Sequence, residues 1–144
     1  MIEINISREI SAPLNQVWDI ISNMDSEPRY WRGLHAIYGV RKKGNVIERE
    51  IKVGFRDLKG RQIVVVYPKK SLEVTFTEGP MIGTRTITLI PSSSNNEEKT
   101  TTTRVYVSWN IKLSNIPLLF RGIVRERIAE ATEEALDRIA RSIQ

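Results

Sequence analysis

Residues 2–10 alternate: Ile2, Ile4, Ile6 and Ile10 share one face at period two, and Glu3, Asn5, Ser7 and Glu9 share the other. The spacing predicts a half-buried strand, with Arg8 as a break in its apolar face. Ser11-Ala12-Pro13 then opens a helix, because proline suits a first turn whose N–H groups have no intrahelical partner. Leu14, Val17, Trp18 and Ile21 follow at helical spacing and predict one buried side. Asp25 or Ser26 can cap a second short helix around Pro28, and Gly33 can end it. After this the pattern turns to strands over 35–43, 46–55, 60–67, 72–78, 83–90 and 99–113. Between them lie turn residues: Gly44-Asn45, Pro68 to Ser71, Gly79-Pro80, and the serine- and asparagine-rich stretch 91–96. Successive strands joined by short turns predict an antiparallel meander.

The last segment, Pro117 to Gln144, reads as one helix of ~42 Å at 1.5 Å per residue. Its expected buried stripe is Phe120, Ile123, Val124, Ile128, Ala131, Ala135, Ile139 and Ile143. A lone helix of that length needs an equally long surface, and the sheet is the candidate. Ala131 and Ala135 in mid-stripe fit either close helix–sheet packing or room for a ligand. Strand parity assigns the sheet's concave side to Ile47, Ile51, Val53 and Phe55, then Leu72, Val74 and Phe76, then Ile87 and Leu89, and finally Val105, Val107, Trp109 and Ile111. Arg49, Glu78 and Arg85 fall in the same parity. Buried charge is costly unless paired, so these three are expected either to face a polar pocket or to lie at strand ends. Arg49, mid-strand between Ile47 and Ile51, is the best placed to anchor a carboxylate or other polar head group.

At 144 residues the chain is long enough to bury a core without staples, and 40% apolar with 27% charged residues is ordinary for a globular protein. The absence of cysteine excludes disulfides, thiolate metal sites and cysteine nucleophiles. The amino terminus lacks the charged and apolar regions of a signal peptide, and no apolar run approaches the ~18 residues of a membrane span. A cytoplasmic protein is expected. The net charge of +5 is uneven: the segment from 118 onward balances five arginines against five acidic residues. The excess sits at Arg41-Lys42-Lys43, Arg56, Lys59, Arg61 and Lys69-Lys70, most of them expected in turns between strands. Such charges can steer an anionic ligand, an acidic partner or RNA, but aromatics are not interleaved with them, so nucleic acid is not the expected partner. The single histidine, His35, lies at a predicted strand start, where an exposed or capping role is expected. No cluster has metal-ligand spacing and no glycine-rich loop precedes a helix, so no metal or cofactor is expected.

The order β-α-α-β6-α resembles the helix-grip fold of the START, polyketide cyclase/dehydrase and Bet v 1-like superfamily. Three motifs carry the resemblance: Ile10-Ser-Ala-Pro-Leu-Asn-Gln-Val-Trp18 leading into the first helix, Tyr30-Trp31 in the second, and Glu78-Gly79-Pro80 before a long strand. It implies an α+β fold in which a curved antiparallel sheet of about seven strands wraps the C-terminal helix, with 1–144 as a single ligand-binding domain. It also implies a large internal cavity for a hydrophobic or amphipathic small molecule, a lipid, isoprenoid, quinone or polyketide. Trp18, Trp31, Phe55, Phe76 and Trp109 are its expected walls, with Ile51, Ile87, Val107, Ile123 and Val124 beside them. Met81 and Ile82, between Gly79 and Gly83, are expected to form a gate beside Phe120. Two other readings stay open. One is a small cyclase or dehydrase using Arg49, Arg85 and Glu78 with Tyr38, Tyr67 or Tyr106 as proton donors. The other is a protein- or RNA- and ribosome-associated module using the basic turns.

Overall fold

The computed structural model describes residues 1–54, 57–92, 102–114 and 116–143. Strand β1 (Ile2–Ile10) leads into helix α1 (Leu14–Ile21) and a 3-10 helix (Met24–Arg29). Then come β2 (Leu34–Lys43), β3 (Val46–Val53), β4 (Leu58–Tyr67), β5 (Ser71–Glu78), β6 (Met81–Ser92), β7 (Thr102–Leu113) and helix α2 (Leu118–Ile143). The strands form one seven-stranded sheet in the order β1-β7-β6-β5-β4-β3-β2. Every pair is antiparallel, so the meander and the helix-grip architecture expected from the pattern are what the chain forms. The serine- and asparagine-rich stretch from Ser93, the start of the expected last strand at Lys99, and Phe55 and Arg56 lie outside the described residues.

Inward parity holds along the strands. Ile47, Ile51, Val64, Leu72, Val74, Phe76, Ile87, Leu89, Val105, Val107, Trp109 and Ile111 are buried in one core with Val17, Trp18 and Ile21 of α1. Two differences from the sequence reading bear on the site. Met81 and Ile82 do not sit in a loop: they pair with Leu113 and Lys112 and begin β6, leaving Gly79-Pro80 as the turn. Glu78 does not point inward. A bulge between Arg61 and Gln62 sets Glu78 opposite outward-facing Arg61, which reverses its parity, and its carboxylate meets the Arg61 guanidinium on the outer face.

Helix α2 lies over β1, β7 and α1. Arg8, the break in β1's apolar face, donates to Asp137 of α2 at 2.8 Å. That bond, with Arg141 beside it, holds the Asp137 carboxyl below the usual range despite some desolvation. The buried residues of α2 are Thr132, Ala135, Leu136 and Ile139, so Ala135 serves close packing. The expected stripe fails at its other end: Phe120 is 49% and Ile123 54% exposed. At 3.6 residues per turn Ile123 falls on the side of the helix opposite Ile139, so one straight face cannot bury both. Val124 and Ile128, nearer the buried face, pack against the core.

Candidate functional site

Arg49 projects from the inner face of β3 between buried Ile47 and Ile51, directly opposite Gln62 of β4. Its Nε donates to Gln62 Oε1 at 2.7 Å, and its Nη2 donates to Glu27 Oε2 at 2.5 Å. Arg85, on the inner face of β6, donates from Nη2 to the other oxygen of the same carboxylate, Glu27 Oε1, at 3.0 Å. Glu27 comes from the 3-10 helix, whose end is set by Tyr30 and Trp31 N–H groups bonding back to the Glu27 carbonyl. All three charged residues are at most 5% exposed. One carboxylate therefore bridges two guanidinium groups in the protein interior, and the cluster keeps a net charge of one positive.

Aromatic rings wall this cluster. The Arg85 guanidinium lies 4.4 Å from the Trp31 ring centroid and 5.5 Å from that of Trp109. Both are cation–π contacts of the kind that strengthen out of water. Trp31 meets Trp109 edge-on at 6.0 Å, and Phe76 stacks on Trp109 at 5.9 Å. The Trp109 indole N–H donates to Thr132 Oγ1 at 3.0 Å, which ties the aromatic wall to α2. Burial alone would push the Glu27 carboxyl up, but the charges of Arg85 and Arg49 and their hydrogen bonds outweigh it and hold Glu27 ionised below the ordinary glutamate range. Burial lowers Arg85 from the ordinary arginine value, and the Glu27 charge opposes that shift.

Arg49 Nη1 and Arg85 Nε, both buried, have no hydrogen-bond partner among the described residues. Unmatched buried donors cost free energy, and an oxygen acceptor at either one would lower that cost. The space beside Glu27, between Ile20, Ile21, Tyr30, Trp31, Ile87 and Ile139, is about 10 Å³, room for about one water molecule. Trp31, Phe76, Trp109 and the ion cluster occupy the interior beside this space. A wider groove of about 430 Å³ lies on the outer face of β2–β5, but Arg41, Glu48, Glu50 and Arg61 line it, so it is no apolar pocket.

Of the residues singled out from sequence, Trp18, Trp31, Arg49, Ile51, Phe76, Arg85, Ile87, Val107 and Trp109 are buried within the fold. Val124 and Met81 are partly buried against the same core. Glu78 and Ile82 belong to the outer face, Phe120 and Ile123 are half exposed, and Phe55 lies outside the described residues. The proposed tyrosine proton donors are not at the cluster. Tyr38 pairs with Glu50 in outward parity, and Tyr67 and Tyr106 are exposed. His35 is exposed and bonded to Asp57. Sequence reasoning missed Glu27 and Gln62. Two inward arginines demand a carboxylate, and the strand pattern offered Glu78 for that part, whereas the acid sits in a short polar helix with no periodicity to expose it.

A family model described as polyketide cyclase / dehydrase and lipid transport matches residues 1–144, and the chain belongs to that family. No curated protein matches it. Among solved structures, a Thermus thermophilus protein superposes with a TM-score of 0.79 at 18% identity, over 96% of this chain and 94% of its own. A START superfamily protein from Mycobacterium smegmatis gives 0.75 at 12% identity, with both chains fully covered. The Zhui aromatase/cyclase from a Streptomyces species gives 0.76 at 9% identity, over 99% of this chain and 95% of its own. At these identities the likeness establishes the fold. The family supports hydrophobic-ligand binding or a polyketide-cyclase role. Among the described residues, no helix is long and apolar enough to cross a membrane.

Proposed function

We propose that this domain binds an amphipathic small molecule with an apolar body and an acidic or carbonyl head, and that Arg49 and Arg85 receive the head. The observation that carries this reading is the pair of unmatched donors, Arg49 Nη1 and Arg85 Nε, on a buried cluster of net positive charge beside Trp31, Trp109 and Phe76. Such a site offers directed hydrogen bonds to oxygen and an apolar wall for the remainder. The lipid, isoprenoid, quinone and polyketide classes all have that shape. The body would enter beneath the first turns of α2, where Val124 is only partly buried, with the aromatic side chains repacking around it.

A cyclase reading gets less support from the same geometry. Glu27 is ionised and both its oxygens are engaged by guanidinium groups, so it is a poor proton donor or base. The arginines can still polarise a carbonyl, which binding also requires.

The test is a titration with a fluorescent long-chain fatty acid and with its methyl ester, alongside native mass spectrometry of protein purified from its own host. Saturable, one-to-one binding of the acid is expected. Arg49→Met should weaken the acid by about tenfold or more, in line with the worth of a charge-assisted hydrogen bond, and weaken the ester, which keeps only a neutral carbonyl, by less. Absence of saturable binding for both probes, together with no co-purifying small molecule, would overturn the reading.

A further inference from the structure

We propose that the first turns of α2 form a docking surface for an anionic lipid bilayer. This surface is separate from the buried cluster and does not depend on what the cluster binds.

Four apolar side chains stand in solvent there: Leu118 at 78% exposure, Leu119 at 83%, Phe120 at 49% and Ile123 at 54%. Isolated exposed apolar residues are unremarkable, but a run of four on one helix end is a patch. Leu119 and Ile123 are one turn apart, and Phe120 and Arg127 two turns apart, so the helix carries them along one flank.

The charges around this patch choose the partner. The segment 118–127 holds Arg121, Arg125 and Arg127 against the single acid Glu126, whereas the rest of α2 carries Glu130, Glu133, Glu134 and Asp137 against Arg138 and Arg141. Arg127 is exposed at the edge of the patch, Arg125 is exposed while also bonding the Glu3 carbonyl and meeting Glu126, and Arg121 is part-buried. Long basic stems beside an apolar wedge can hold their heads at phosphate level while the wedge enters the acyl boundary. Each basic residue near an anionic surface adds further attraction. A second copy of this chain is a poorer occupant, because a two-fold contact would set two patches of net positive charge against each other.

Flotation with vesicles of phosphatidylcholine alone, and of phosphatidylcholine with phosphatidylglycerol, tests the proposal on the whole chain. Binding to the anionic vesicles is expected to be at least about tenfold stronger and to weaken as salt is raised. Leu119→Asp should lower the partition coefficient by about tenfold or more, as should the pair Arg125→Glu and Arg127→Glu. Ile90→Asp, an exposed apolar position on β6, should change nothing. Circular dichroism should show all these variants folded, since each replaced side chain is solvent-exposed. No binding, equal binding to both vesicle types, or a Leu119→Asp protein that floats like the original would overturn the proposal. So would a dimer in sedimentation that Leu119→Asp dissolves, which would make a second copy the occupant.

Discussion

Glu27→Ala is expected to lower the stability of the folded protein by about 3–5 kcal/mol, because it leaves two guanidinium groups buried without their carboxylate. Glu27 is 5% exposed and accepts from both Arg49 and Arg85, so water cannot easily take its place. Urea unfolding followed by tryptophan fluorescence measures the loss as a shift of midpoint at unchanged slope. The same group sets an acid limit. Its folded-state pKa lies below its unfolded value, so its stabilisation is complete above about pH 4.3 and is lost as pH falls through the folded value. Glu27→Gln should flatten that part of the pH profile while lowering the plateau. The informative companion is the triple replacement Glu27→Leu, Arg49→Met, Arg85→Met. Apolar substitution of a whole buried ion cluster is often neutral or stabilising, so this protein should recover most of the loss yet fail to distinguish the fatty acid from its ester. A triple variant as unstable as Glu27→Ala would mean that the cluster is retained for the fold.

Trp109→Ala is expected to cost about 3–5 kcal/mol as well, but by a different route. The indole is packed between Trp31 and Phe76, and its N–H is the donor to Thr132. Truncation removes that contact area and leaves Thr132 one partner short, with a void where the ring was. A void walled by Trp31 and Phe76, with the Arg85 guanidinium and Thr132 at its edge, should take up an aromatic probe, so the destabilised protein is predicted to bind a small fluorescent aromatic hydrocarbon more tightly than the original. Unchanged stability would mean that the interior collapses around the missing ring, and tighter probe binding should then be absent too.

Much of this molecule could be read from alternation alone. The inward residues of β3, β5, β6 and β7 follow strict period two, and a buried strand leaves little freedom about which face a residue takes. Arg49 and Arg85 were legible as inward charges for that reason. Glu78 was not, because one bulge reverses parity and no residue at Arg61 or Gln62 announces it. Glu27 was hidden by locality: a short 3-10 helix has too few residues to show a period, and the partner it meets is far away in sequence. The exposed run from Leu118 to Ile123 was masked by the opposite fault. Apolar residues near a long stripe are absorbed into it by eye, though the angular step of the helix carries Ile123 away from the sheet. Placing 1–144 as a single ligand-binding unit remains part of the proposal tested by the fatty-acid titration.

The sheet order has a kinetic consequence. Among the described residues β1 pairs with β7 alone, so the first of these seven strands to leave the ribosome waits for the seventh. Until Thr102–Leu113 has emerged, Ile2, Ile4, Ile6 and Ile10 lie on an unpaired edge, exposed to any other chain that offers a strand. The hairpins β2 to β6 can zip from local contacts, whereas closing β1 onto β7 must absorb the loop entropy of the whole intervening chain. Docking of α2, through Arg8 and Asp137, is therefore expected to coincide with the slowest step of folding, and a chain stalled short of β7 to be a substrate for chaperones.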